Sequence, residues 1–142
     1  MKRLFRVALL FSLLIFAASV VHACRCPRVK PQKKLKESSA VFIGEVVEIG
    51  EDVKGDCSAG VKFKVEKYWK GVNEPFITVY TTALTCFSGC AVPVEVGKKF
   101  LVYAHRYGDG RLGMVICTTS LIGGERAVEE LKVIGKGKVF KQ

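Results

Sequence analysis

Six cysteines carry most of the chemistry available to this chain: Cys24, Cys26, Cys57, Cys86, Cys90 and Cys117. As thiolates they could ligate a metal, and as oxidised pairs they could staple a fold. The spacings Cys24-x-Cys26 and Cys86-x3-Cys90 are irregular for a tetrahedral zinc site, and an oxidising compartment opposes free thiolates. An even number of cysteines in an exported chain points to disulfides, and three bridges among six cysteines allow fifteen connectivities. Other reactive groups are sparse. The sequence has no phosphate-cradling glycine loop, no HExxH and no GxSxG. His105 is the only histidine outside the first 23 residues, and a single histidine at a strand end reads as a surface residue rather than a general base. The chain is therefore expected not to be an enzyme and to carry no cofactor of its own.

Export is read from residues 1–23, MKRLFRVALLFSLLIFAASVVHA. A basic start (Lys2, Arg3, Arg6) leads into an apolar run over 7–16 and then small residues before Val21-His22-Ala23, with small or apolar residues at the third and first positions before the cut, as signal peptidase accepts. The run counted to Val21 is long enough to span a bilayer, but it ends at a processing-like site with no basic stop-transfer segment. Cleavage after Ala23 is the expectation, giving 1–23 as signal peptide and 24–142 as one mature domain. VHAC also resembles a bacterial lipoprotein signal imperfectly, because His22 stands where a small residue is usual; lipidation there would block the thiol and amine of Cys24. The expected location is secreted and extracellular, or periplasmic or lipid-anchored in a bacterium. Losing Lys2, Arg3 and Arg6 lowers the formal charge from +10 to +7. That balance favours acidic surfaces, glycans or anionic membranes without naming one.

The remaining 119 residues suffice for one domain with a real core. A polar segment with a short helix at 33–38 follows CRCP, its lysines read as a solvated face. VFIGEVVEI (41–49) is a β-branched strand. VKFKVEKYW (61–69) alternates, with Val61, Phe63, Val65 and Trp69 to one side and Lys62, Lys64, Glu66 and Tyr68 to the other. FITVY (76–80) is a third strand. KFLVYA (99–104) and LGMVICTT (112–119) are the fourth and fifth, joined by RYGDGR with its Asp-Gly hairpin signal. From Glu125 the period changes, placing Ala127, Val128, Leu131 and Ile134 on one helical stripe that stops at Gly135. Five short strands and a closing amphipathic helix predict a mainly β fold, a five-stranded OB-type Greek-key barrel with a flanking short helix. Residues two apart in an extended segment share a side, so Cys24 and Cys26 would both anchor to the barrel while Arg25 projects away. The terminus becomes a ridge.

These residues carry a resemblance. CxC at the mature start, then VFIGEV, KYWKG, ITVYT, a Cys followed by an apolar stretch, KFLVYA and a late Cys resembles the N-terminal, netrin-like domain of the tissue inhibitors of metalloproteinases. Pro31 and Gln32 stand at the offset from CxC where vertebrate members have Pro-Gln. The likeness spans essentially the whole mature chain and is to the single-domain form, without the C-terminal inhibitor domain. It implies the pairs Cys24–Cys90 and Cys26–Cys117, with Cys57–Cys86 as the third. A loop as long as that from Cys24 to Cys90 would contribute roughly 4 kcal/mol in the chain-entropy model.

The resemblance also implies a function: inhibition of a zinc metalloendopeptidase by a monomer. In the family the first cysteine's free α-amine and carbonyl chelate the protease's catalytic zinc, so the metal contact of Cys24 is in trans and zinc belongs only to the target enzyme. Arg25 would enter the first primed pocket; Cys26, Pro27, Ser88 and Gly89 would line the contact. Three residue-level departures accompany the likeness. Arg25 replaces a small hydroxyl residue, the family's third cysteine is missing near Lys36, and Pro27 comes one position early. The alternative is a non-inhibitory extracellular binding module that docks a protein or an acidic glycan through residues such as Arg28, Lys30, Lys33, Lys34 and Lys36. Nucleic acid is not expected as a partner, given export and the lack of clustered exposed aromatics.

Overall fold

A computed structural model describes residues 24–52, 57–83, 86 and 90–140. The signal-peptide reading of 1–23 falls outside the described residues. Along the chain run α1 (Pro31–Glu37), β1 (Ala40–Asp52), β2 (Ser58–Lys70), β3 (Phe76–Thr82), β4 (Lys99–Arg106), β5 (Leu112–Gly113), a 3-10 turn (Ile116–Thr118), β6 (Thr119–Leu121) and α2 (Glu125–Ile134). β1 pairs antiparallel with both β2 and β4, β2 with β3, β5 with β4, and β3 runs parallel to β5 through Tyr80 and Gly113. The five strands β1, β2, β3, β5 and β4 therefore close on themselves. This is an OB-type barrel with two flanking helices, and closure removes the unpaired edges an open sheet would expose.

The composition of each strand follows from how many of its faces are covered. β2 alternates because one face is wet: Val61, Phe63 and Val65 enter the barrel while Lys62, Lys64 and Glu66 stay exposed. β1 and β4 are apolar on both faces because each is buried twice. Phe42, Val46, Phe100 and Val102 fill the barrel, with Phe42 edge-on to Phe63 at 5.4 Å. Val41, Ile43, Leu101 and Tyr103 point outward under a second layer built from Leu35, Trp69, Ile122, Leu131 and Ile134. Each such fully buried large apolar side chain stabilises the fold by about 1.5–3 kcal/mol. The two helices thus roof β1 and β4 and pack against each other.

Three expectations are corrected here. The fifth strand is not continuous over 112–119. It breaks into β5 and β6, which lie along the same ladder edge of β4 on either side of the 3-10 turn. The turn forms because the Thr118 hydroxyl bonds the backbone of Val115 in both directions, Oγ1 accepting from Val115 N (3.2 Å) and donating to Val115 O (3.2 Å). Such a local bond competes with the ladder. Cys117 therefore sits in a turn rather than at a strand end.

Second, Tyr68 and Trp69 exchange sides. Against β1, Gly44 pairs with Val65 and Ile43 with Lys67, so Glu66 is an extra residue; Trp69 is skipped likewise between Tyr68 and Lys70. A bulge shifts the alternation by one. Tyr68 consequently joins the barrel cluster and stacks on Phe140 at 4.7 Å, while Trp69 joins the helix layer and donates from Nε1 to Gly135 O (3.2 Å). Third, the inner stripe of α2 is Ala127, Glu130, Leu131 and Ile134; Val128 is 44% exposed.

Gly71 ends β2 with φ of 68°, and a Cβ there would lie 1.9 Å from Ser39 O. Left-handed backbone costs a side-chain-bearing residue roughly 1–2 kcal/mol even in open space. Gly71→Ala adds a backbone clash, so thermal denaturation is expected to register a loss of more than about 2 kcal/mol.

Candidate functional site

The segment 24–30 has no regular secondary structure and leads directly into α1, whose first turn is closed by Lys33 N and Lys34 N donating to Lys30 O at 2.9 and 3.1 Å. Pro31 occupies the first helical position, where its missing N–H costs nothing. What fixes the other end of the segment is covalent. Cys24 is bonded to Cys90 and Cys26 to Cys117, with Cα–Cα distances of 5.3 and 5.1 Å. The third bridge joins Cys57 to Cys86. These are the pairs that the resemblance implies. With all six cysteines in disulfides, no thiolate is left for a metal. Three structural disulfides of this kind suit an oxidising, extracellular-type environment.

The two ridge disulfides pack together. Cys24 Sγ lies 4.0 Å from Cys117 Sγ, and the partner segments are tied to one another by Ile116 N donating to Cys90 O at 3.2 Å. Cys24 is half-buried, whereas Arg25, Cys26, Pro27 and Arg28 are exposed. Residues 24–28, which the sequence singles out, thus form one doubly anchored strip that is exposed from Arg25 onward. Ser88 and Gly89, expected beside it, lie outside the described residues.

Beneath the strip is an ionic network that the sequence reading did not contain. A cleft of about 410 Å³ opens between the strip and the two helices, bordered by Pro27, Arg28, Lys34, Arg126, Glu129 and Glu130. At its base Glu130 is 5% exposed. Its Oε1 accepts from Lys34 Nζ at 2.5 Å and faces Arg126 Nε at 3.5 Å; Oε2 accepts from the Ser120 hydroxyl at 3.4 Å. The Lys34 side chain is only 11% exposed, so it leaves the solvated face on which the sequence placed it. Lys30, Lys33 and Lys36 do stay exposed, Lys33 opposite Glu37 at 3.7 Å. Burial, reinforced by the charge of Glu130, pushes the Tyr103 hydroxyl well above its ordinary titration range. It stays protonated under the helices, with the Lys34 ammonium 5.5 Å from its ring centroid.

The sequence signal for this network was a carboxylate at position 130, one turn after Ala127 and one before Ile134. That spacing puts an acid inside the apolar stripe, which demands a buried cation nearby. Elsewhere, His105 is half-buried and pairs with Gly113 in the β4–β5 ladder. Among the described residues, no group of three or more His, Cys, Asp or Glu side chains is placed to hold a metal ion. Compared with known proteins, the chain matches no protein-family model and no curated sequence.

Proposed function

We propose that the mature protein is a secreted, single-domain inhibitor of zinc metalloendopeptidases, akin to the tissue inhibitors of metalloproteinases, that offers its Cys24 amine and carbonyl to the target's catalytic zinc. One observation carries the reading: the 24–28 strip is pinned by two adjacent disulfides, Cys24 to Cys90 and Cys26 to Cys117, with Arg25 exposed between them. A catalytic zinc keeps one coordination position for water. An α-amine and the carbonyl of the same residue can displace that water as a five-membered chelate. Held in place by two bridges, such a terminus loses little freedom on binding, so more of the chelation energy appears as affinity. Arg25 follows at an exposed position and sets which primed pocket is accepted. Its long stem can lie on apolar walls if the guanidinium reaches water.

The test is inhibition of a broad panel of zinc endopeptidases by the chain starting at Cys24. The acid–base behaviour supplies a signature. Only the neutral amine donates to zinc, and an α-amine ordinarily titrates near roughly 7.7–8.0. Below that range the neutral fraction falls about tenfold per pH unit. Inhibition is therefore expected to weaken as pH drops from about 7.5 to 5.5, after correction for the enzyme's own profile. Arg25→Thr is expected to tighten binding to proteases with apolar primed pockets, and Arg25→Gly to weaken it generally. A protein that inhibits nothing across the panel would instead leave the exposed Arg28, Lys30, Lys33 and Lys36 as the surface of a non-inhibitory binding module.

A further inference from the structure

The disulfide between Cys26 and Cys117 can hold the ridge no more firmly than Cys117 itself is held. Cys117 lies in a three-residue 3-10 turn, the break between β5 and β6. Thr118 closes the turn onto Val115. The carbonyls of Ile116 and Cys117 are taken by one side chain from outside it. Arg126, in the first turn of α2, donates from one terminal nitrogen to Ile116 O at 3.3 Å and from the other to Cys117 O. The guanidinium is in turn aimed by Glu130, whose carboxylate faces Nε at 3.5 Å and is itself anchored by Lys34 of α1. A chain of contacts thus runs from α1 through Glu130 and Arg126 to the Cys117 turn, and across the disulfide to Cys26.

We infer that Arg126 is a positioning residue: it sets the height and angle of the Cys24–Cys26 ridge by clamping the turn that carries Cys117, a role that rests on the inhibitory reading only for its consequence in binding. The fork of the guanidinium is what qualifies it. Two nitrogens in one plane can span consecutive carbonyls while Nε keeps the carboxylate, whereas an ammonium offers a single charged point. Arg126→Lys therefore keeps the charge beside Glu130 and loses the clamp.

The experiment compares the wild-type mature chain with Arg126→Lys and Arg126→Ala, all with three disulfides verified by mass. Hydrogen exchange in the free protein is followed at the amides of Ile116 and Thr118, which bond Cys90 O and Val115 O, against core reporters such as Val65 and Val46. Both variants are expected to speed exchange in the turn by about tenfold or more, the scale of one charge-assisted hydrogen bond, with the core amides unchanged. Millimolar guanidinium is expected to restore protection in Arg126→Ala but not in Arg126→Lys. Where the wild type inhibits a protease, dissociation of the Arg126→Lys complex is expected to quicken by a similar factor.

Unchanged exchange in the turn, equal acceleration of turn and core, or a wild-type dissociation rate for Arg126→Lys overturns the assignment. If the wild type inhibits no protease, the functional reading fails on its own, and the exchange data still decide the role of Arg126.

Discussion

Replacing Glu130 by Ala is expected to destabilise the disulfide-intact protein by about 3–5 kcal/mol, the penalty for leaving a buried charge without its partner. Lys34 is the charge at issue: its side chain is 11% exposed and its ammonium sits 2.5 Å from the carboxylate. Lys34→Ala strands Glu130 in the same way. Glu130 retains Arg126, though, which is 41% exposed and shares the carboxylate only at 3.5 Å. The Lys34 variant is therefore expected at the lower end of the range. Removing both charges changes the outcome. In Lys34→Met with Glu130→Leu, the pair becomes apolar volume between α1 and α2, beside Leu35 and Leu131. Hydrophobic replacements of buried ion pairs are often neutral or stabilising, and Arg126 can turn its head to water. Urea unfolding of the two single variants and the double variant forms a mutant cycle. A double variant as unstable as the worse single one, or single variants within about 1 kcal/mol of wild type, would show that the pair is not buried in the energetic sense.

The outcome bears on how the fold can be read from sequence. β1 and β4 were legible as strands from their β-branched and apolar residues, and the wet face of β2 from its alternating lysines, because alternation reports directly which face water reaches. That β1 and β4 are covered on both faces emerged only with the helices in place. The closed barrel followed from those strands. The misses have a common cause: they are settled by contacts distant in sequence. Tyr68 and Trp69 swap sides because a bulge against β1 absorbs Glu66, and nothing local in VEKYW marks a bulge. The fifth strand breaks where Thr118 bonds Val115, in a stretch whose β-branched residues read as strand. Lys34 and Glu130 are 96 residues apart, so a lysine-rich helix looked solvated until its partner helix was in place.

The candidate site divides the same way. Spacing alone suggested that Cys24 and Cys26 anchor the segment while Arg25 leaves it, and the two disulfides and the exposed Arg25 agree with that. The exposure of Cys26 and Pro27 was not legible. The disulfide partners followed only from resemblance. The guanidinium beneath the turn was readable from neither. It belongs to α2, and its acceptors are backbone carbonyls, which no side-chain pattern announces.

The most direct measurement of the central claim concerns one atom, the nitrogen of Cys24. Adding a single Ala before Cys24 converts the terminal amine into an amide, which cannot donate a lone pair to zinc in the same way. The two ridge disulfides, the turn and the barrel have no reason to change. Titrating both forms against an endopeptidase that the native mature chain inhibits gives the answer. The extended protein is expected to lose at least about 100-fold in affinity, or about 2.7 kcal/mol, with a melting temperature within about 2 °C of native. Equal inhibition by the two forms would contradict chelation through Cys24 and move the contact elsewhere on the surface.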